Sequence, residues 1–347
     1  MSQIHSSDPY LQLPPVIFGT SGLGNLYVVL PLEVKRAIIS EFIKHSNKPA
    51  VFDSAGKYGA GLALESLGQC LKDLNVHPQD VVISNKLGWL RTELTTPEPT
   101  FEPGVWMDLK YDAVQKISYD GILECYHQGN ELLGDYETQF VSVHDPDEYL
   151  AAAADENDKT KRYQDVLAAY EALTELKAQG KAKAVGVGAK DWHIIQQISN
   201  DVKLDWVMIA NSMTVHSHPT DLIAYMRKLK DQGTKIINSA VFNGGFLTGG
   251  DYYNYHLIDK DTTDGQALYN WRSRFYELCK AYSLEPAAVC VQFGLAAPGV
   301  ASVALSTTNP KRVEHNIALF ETEIPAAFWA ELLSEGLIDT QGLELVK

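Results

Sequence analysis

Short apolar runs recur along the chain, with longer amphipathic stretches between them. The runs are Val16–Phe18, Ala50–Phe52, Val81–Ser84, Phe140–Val143, Ala184–Val187, Trp206–Ala210, Lys235–Asn238 and Ala301–Leu305. Their length and their bounding polar residues read as buried strands. Between them, apolar positions fall at helical spacing over Glu33–His45, Leu62–Leu74, Tyr119–Leu133, Arg162–Gln179, Asp191–Ile198, Leu222–Asp231, Gln266–Tyr282 and Lys311–Phe320. Strand and helix alternate throughout, which predicts an α/β fold of the (β/α)8 TIM-barrel type. The runner-up is an open doubly wound sheet, which would place a Gly-rich phosphate turn after its first strand. Gly19-Thr-Ser-Gly22-Leu-Gly24 matches that fingerprint only in part, and no helix follows at once. No composition break, Gly/Ser-rich linker or internal repeat divides the chain, so residues 1–347 read as one domain.

Three connections are far longer than the usual handful of residues: Leu87–Ser118, Asp145–Lys161 and Asn243–Gly265. They follow the third, fourth and seventh strands and precede a helix. A barrel therefore sets all three on its C-terminal rim, where such folds keep their active sites. The first carries Trp89, Pro97, Pro99, Phe101, Pro103, Trp106 and Tyr111. Repeated aromatic anchors predict an ordered lid in place of a disordered insertion.

Composition narrows the classes of function. Acidic residues outnumber Lys plus Arg by 44 to 29, a formal charge of −15. Binding phosphate-rich partners depends on basic surface, so neither nucleic acid nor an anionic membrane is expected. The polar start Met1-Ser-Gln-Ile-His-Ser-Ser-Asp-Pro lacks the basic and apolar regions of a signal peptide, and no run has the length of a membrane span. Cys70, Cys125, Cys279 and Cys290 are scattered without a Cys-x-x-Cys pair, which suits the reduced thiols of a cytoplasmic protein. His216-Ser-His218 has a metal-like spacing but no accompanying acid or thiol cluster, so no metal is expected.

The chemistry sits at strand ends. Phe52-Asp53-Ser-Ala-Gly-Lys-Tyr58-Gly59 follows the second apolar run, Val81-Val-Ile-Ser-Asn-Lys86 closes the third, and Phe140-Val-Ser-Val-His144 closes the fourth. Parallel neighbouring strands would bring the acid, phenol, amine and imidazole together. A phenol with a pKa near 10 is a poor base at neutral pH, but an adjacent ammonium favours the phenolate. Lys86 would be that ammonium, lowering the Tyr58 pKa, and Asp53 would hold it in place. His144 would set the angle of the reacting oxygen. Tyr58 then serves as general acid or base. A metal-dependent hydrolase built on His144-Asp145-Pro-Asp147 would need ligands at other strand ends, and Gly188, Asn211 and Ser239 supply none.

These residues resemble the aldo-keto reductases, whose Asp/Tyr/Lys/His tetrad is matched by Asp53, Tyr58, Lys86 and His144. The resemblance runs from Phe18-Gly19-Thr20 to about Phe320 and includes Leu64-Glu65-Ser-Leu-Gly68. Ser118-Tyr-Asp-Gly-Ile-Leu and the long third connection look like the subgroup of aldose, galactose and pyridoxal dehydrogenases. What this implies is a nicotinamide-dependent oxidoreductase that takes a sugar hemiacetal to a lactone. Reduction of an aldehyde or keto-sugar, and oxidation of pyridoxal, stay open with the same tetrad. A cofactor-sensing regulatory subunit is the alternative from another class. The expected partner is a small sugar or aldehyde, in a monomer or small homo-oligomer.

The resemblance also implies cofactor contacts from Gly19, Thr20, Asp53, Asn211, Ser239, Phe242, Leu247, Ser306, Thr307, Arg312, His315 and Asn316. Substrate would meet Tyr58, His144, Trp89, Trp106 and Trp192. Several positions depart from the family pattern. Gly188-Ala189 stands in place of Ser-Asn. Ser239-Ala-Val-Phe242 replaces Tyr-Ser-Pro-Leu, so Phe242 offers the nearest aromatic face for the nicotinamide. His315 replaces a glutamate that would reach the adenine. Ser306 occupies the place of a lysine that clamps the 2′-phosphate, while Arg312 keeps the arginine. The cofactor is therefore expected to be NAD, with NADP left open.

Overall fold

The computed structural model describes residues 11–347. Its strands are β1 (Val16–Gly19), β2 (Ala50–Ala55), β3 (Val81–Leu87), β4 (Trp89–Glu93), β5 (Tyr111–Gln115), β6 (Phe140–His144), β7 (Ala184–Ala189), β8 (Trp206–Ala210), β9 (Lys235–Ser239), β10 (Tyr252–Tyr253), β11 (His256–Leu257) and β12 (Val300–Leu305). Eight of them close into a parallel barrel in the order β1-β2-β3-β6-β7-β8-β9-β12, with β12 returning to β1. The predicted apolar runs are these eight strands. β4 pairs antiparallel with β5, and β10 with β11, as two hairpins outside the barrel.

Helices α1 (Leu32–His45), α2 (Leu62–Asp73), α3 (Tyr119–Leu133), α4 (Pro146–Ala151), α5 (Glu156–Ala178), α6 (Trp192–Asp201), α7 (Thr220–Asp231), α8 (Thr263–Ala281), α9 (Pro286–Ala296), α10 (Val313–Ala318), α11 (Ala326–Ser334) and α12 (Thr340–Leu345) surround it. Side chains, not a pore, fill the barrel: Ile17, Val51, Phe140, Ala184, Trp206, Met208 and Ile237 form one buried cluster. Gly186 is the concession to Trp206, because a Cβ there would lie 2.2 Å from the indole. Cys70, Cys125, Cys279 and Cys290 are free and buried. Among the described residues no helix is long and apolar enough to cross a membrane.

The three long connections all carry structure. The first folds into the β4–β5 hairpin with a buried cluster of its own: Ala60, Phe101, Trp106 and Ala113, with Tyr58 and Trp89 against it. Part of the second is helix, because Asp155 caps Asp158 N–H at 2.8 Å and starts α5 before the predicted Arg162. The third holds the β10–β11 hairpin. Helix α9, between α8 and β12, is not among the helices that the apolar spacing predicts. Pro286-Ala-Ala-Val-Cys-Val-Gln-Phe-Gly-Leu-Ala is apolar all round because most of it is buried, so it shows no helical stripe.

Candidate active site

The site lies where β2, β3 and β6 end. Register places Ala55 opposite Lys86 and Lys86 opposite Ser142, so neighbouring strands bring Asp53, Lys86 and His144 to one end of the barrel. Tyr58 follows β2 by a turn, its N–H bonded to Ala55 C=O at 3.1 Å. Gly59 has φ +61°, and a Cβ there would lie 2.3 Å from Gly24 C=O. This close approach of two loops fixes the backbone beside Tyr58.

All four predicted residues converge. Lys86 Nζ forms an ion pair with Asp53 Oδ2 and stands 4.7 Å from the centroid of the Tyr58 ring. The Tyr58 and His144 rings meet edge to face with centroids 5.4 Å apart. Asp53, Lys86 and His144 are each less than 5% exposed. His144 Nδ1 is buried without a partner, and Nε2 lies 3.7 Å from Asp145 Oδ2.

Electrostatics corrects one expectation. Burial raises the Tyr58 pKa and is a larger effect than the opposing pull of Lys86, so the phenol is raised above its ordinary value. In so enclosed a place the charged form loses more solvation than one ammonium returns. Burial also works against the Lys86 ammonium, but Asp53 and Tyr58 outweigh it and raise its pKa. His144 is pushed well below the ordinary imidazole range, first by burial and then by Lys86 and Lys57, and stays neutral.

Two further walls complete the site. The first-connection insertion supplies Trp106, whose ring lies 5.7 Å from Tyr58, and Trp89, packed on Phe101 at 5.7 Å. The second wall is a charged cluster of Lys57, Glu102, Asp145, Glu148 and Lys190. Lys57 Nζ reaches Glu102 at 2.7 Å, Glu148 at 3.0 Å and Asp145 at 3.6 Å. Lys190 pairs with Glu148. Sequence reasoning missed this cluster. Its members are far apart in the chain, and only the adjacency of Lys57 to Tyr58 hinted at it.

Some predicted contacts lie elsewhere. Trp192 is 9% exposed and packs in the core against Tyr225, with His193 on its other neighbour position, so it does not line the tetrad. Its place at the start of α6 turns the ring inward. Leu247 is fully buried in the same core and offers no face to a ligand. The ring of His315 is held by Glu285 at 2.8 Å, in a cleft lined by Leu284, Ala288 and Leu319.

The remaining cofactor candidates fit a nicotinamide nucleotide. Asn211 follows β8 directly with φ +63°, and its buried Oδ1 has no partner. A carboxamide N–H would satisfy it. Thr20 Oγ1 donates to Asp53 C=O at 3.1 Å, and Gly19 pairs with Asp53 in register. Ser239 ends β9, and Phe242 lies half-buried three residues on. Ser306, Thr307 and Asn316 line a narrow cleft with Phe18 and Phe42. Arg312 is exposed at the start of α10. Among the described residues no three His, Cys, Asp or Glu side chains are grouped to hold a metal ion.

Known proteins share this architecture. The chain is 29% identical to pyridoxal 4-dehydrogenase from Microbacterium luteolum, over 92% of this chain and 93% of that one. It is 25% identical to D-threo-aldose 1-dehydrogenase from a Pseudomonas species, over 95% and 96%. The fold matches the holo form of an aldo-keto reductase from Bacillus halodurans with TM-score 0.64 at 18% identity, covering 96% of this chain and 92% of that one. It also matches glycerol dehydrogenase from Gluconobacter oxydans with TM-score 0.68 at 14% identity, covering 92% and 91%. The aldo/keto reductase family model spans residues 15–334. The chain therefore belongs to the aldo/keto reductase family, oxidoreductases that use nicotinamide cofactors.

Proposed function

We propose that this protein oxidises the C1 hydroxyl of a sugar hemiacetal, giving a lactone, and prefers NAD to NADP. The observation that carries the reading is the buried relay Asp53–Lys86–Tyr58 with a neutral His144 edge-on to the phenol. Tyr58, once deprotonated, takes the proton of the C1 hydroxyl, and Lys86 stabilises the phenolate. Asp53 keeps Lys86 charged and aimed. His144, being neutral, can donate from one ring nitrogen and accept at the other, which orients the substrate oxygen. A bound nicotinamide supplies the hydride acceptor, and Asn211, Ser239 and Phe242 would hold it. The preference for NAD rests on Ser306, which carries no cation for a 2′-phosphate. The nearest cations in sequence are Lys311 and Arg312, five and six residues on.

A second reading is pyridoxal oxidation, favoured by the 29% identity to a pyridoxal 4-dehydrogenase. The same relay would act on the internal hemiacetal that the C4 aldehyde of that ring forms with its C5 hydroxymethyl group, taking the hydroxyl proton while hydride leaves the same carbon to give a lactone. A panel of aldoses, pyridoxal and simple aldehydes, assayed with both cofactors by nicotinamide absorbance, separates these readings. Aldose oxidation with NAD is expected, and Tyr58→Phe should lower turnover by about 10²–10⁴ while leaving cofactor binding nearly intact. No turnover of any substrate would favour a cofactor sensor. NADP binding ten times tighter, about 1.4 kcal/mol, would refute the role given to Ser306.

A further inference from the structure

The charged cluster beside the tetrad has a hub. Lys57 is 4% exposed, yet its ammonium meets three carboxylates: Glu102 from the insertion, and Asp145 and Glu148 from the start of α4. Lys190, after β7, closes the cluster through Glu148 and lies 3.9 Å from Asp145. With two cations against three acids, removing Lys57 leaves the acids badly under-compensated. A buried ammonium is retained only where such partners hold it.

Glu102 connects this hub to the insertion. One carboxylate oxygen takes Lys57 at 2.7 Å, and the other accepts the Trp106 indole N–H at 2.7 Å. Trp106 in turn packs on Tyr58, and Tyr58 follows Lys57 in the chain. The path is a closed circuit: Lys57, Glu102, Trp106, Tyr58. Glu102 itself sits at φ +44°, a conformation that non-glycine residues adopt only when their surroundings impose it. The rest of the insertion is also fastened from the far side. Met107 N–H donates to Asn25 C=O at 3.0 Å, and Tyr27 N–H to Val105 C=O at 2.9 Å. The Lys57–Glu102 bond is thus a charged fastening on the catalytic side of the loop, with the Arg91–Glu65 pair at 2.8 Å a second one at the hairpin.

We propose that Lys57 is a positioning residue that clamps the insertion through Glu102, so that Trp106 closes on Tyr58 and forms the substrate-side wall. The proposal rests on the reading of Tyr58 as the acid–base group. The clamp is a charge-assisted bond between a buried ammonium and a carboxylate that is about a third exposed, with side-chain exposures of 5% and 32%. Its loss should loosen the wall more than the chemistry.

Lys57→Met and Glu102→Gln test this, each with the full-length protein. Both should raise KM for the best substrate about tenfold with kcat falling less than about threefold, since ground-state binding is what the wall supplies. Both should also increase acrylamide quenching of Trp106, read by difference against the same variants carrying Trp106→Phe. The double variant should be no worse than the worse single, because one link is broken twice. Lys57→Arg should restore most of the loss. Additive effects, or unchanged KM and quenching, would overturn the clamp. So would a fall in kcat alone, which would mean that Lys57 acts directly on the Tyr58 charge. If Lys57→Met fails to fold, Glu102→Gln decides, since it removes no buried cation. Quenching needs no substrate, so the clamp can fail while the proposed reaction holds, and the reverse.

Discussion

His144 is neutral because the barrel gives it no choice. Burial, then Lys86 and Lys57, disfavour a second proton, so its folded pKa lies well below 6.5. In the unfolded chain the same ring takes a proton near 6.5, so below that pH the unfolded state binds more protons. Stability should therefore fall as pH drops below about 6.5, and His144→Asn should flatten that limb of a urea-midpoint profile. Tyr58 gives the opposite end of the scale. Its pKa is raised from 10.0 because burial outweighs Lys86. Oxidation should therefore climb from pH 7 to about 10 without a plateau, while reduction stays flat through neutrality and declines only in alkali. A plateau near pH 8 would show that Lys86 prevails over burial. At this scale the tetrad was legible because its members stand at or just past the ends of three apolar runs. Lys57 was not, since its partner Glu148 lies 91 positions away and no local pattern marks an ion pair at that distance. The sequence reading of Lys86 also stopped at charge, where the outcome depended on how tightly Tyr58 was enclosed.

The insertion shows how an element can be legible in kind and not in form. Its aromatic residues indicated order, and Phe101, Trp106 and Ala113 do bury together. The hairpin register, Trp89 opposite Gln115 through Glu93 opposite Tyr111, left no clear alternation to read, because the strand residues are mostly half-exposed on both faces. Glycine positions sort the loops by what they must touch. Gly59 faces Gly24 C=O at 2.3 Å with φ +61°, whereas Gly104 has φ +75° with open space around it. Gly104→Ala should cost about 1 kcal/mol from backbone strain alone. Gly59→Ala adds a backbone collision and should cost on the order of 3 kcal/mol, with loss of activity as Tyr58 shifts. Equal urea midpoints for the two variants would refute the close packing of the Gly24 and Tyr58 loops.

Across the whole molecule, the strand ends divide into two groups along the chain. Asp53, Tyr58, Lys86 and His144 all precede residue 145, whereas Asn211, Ser239, Ser306 and Asn316 follow the fifth barrel strand. Barrel topology explains why simple alternation leads to the fold so directly: each barrel strand pairs with the next in chain order, and one further pairing joins the first strand to the last. That pairing is the seam between β1 and β12, where Val16 meets Val303 and Ser302 Oγ donates to Pro14 C=O across 288 positions.

The seam should form late in folding and synthesis. Contacts that close so long a stretch of chain form slowly, after local pairings have already accumulated. On refolding from urea, far-UV circular dichroism should recover before the capacity to bind reduced nicotinamide, because Gly19 and Thr20 reach Ser306 only when β12 docks. Simultaneous recovery would argue against a late seam. A ribosome that has released only the first two hundred residues has already made all four residues of the proposed relay, and none of the strand that closes the barrel.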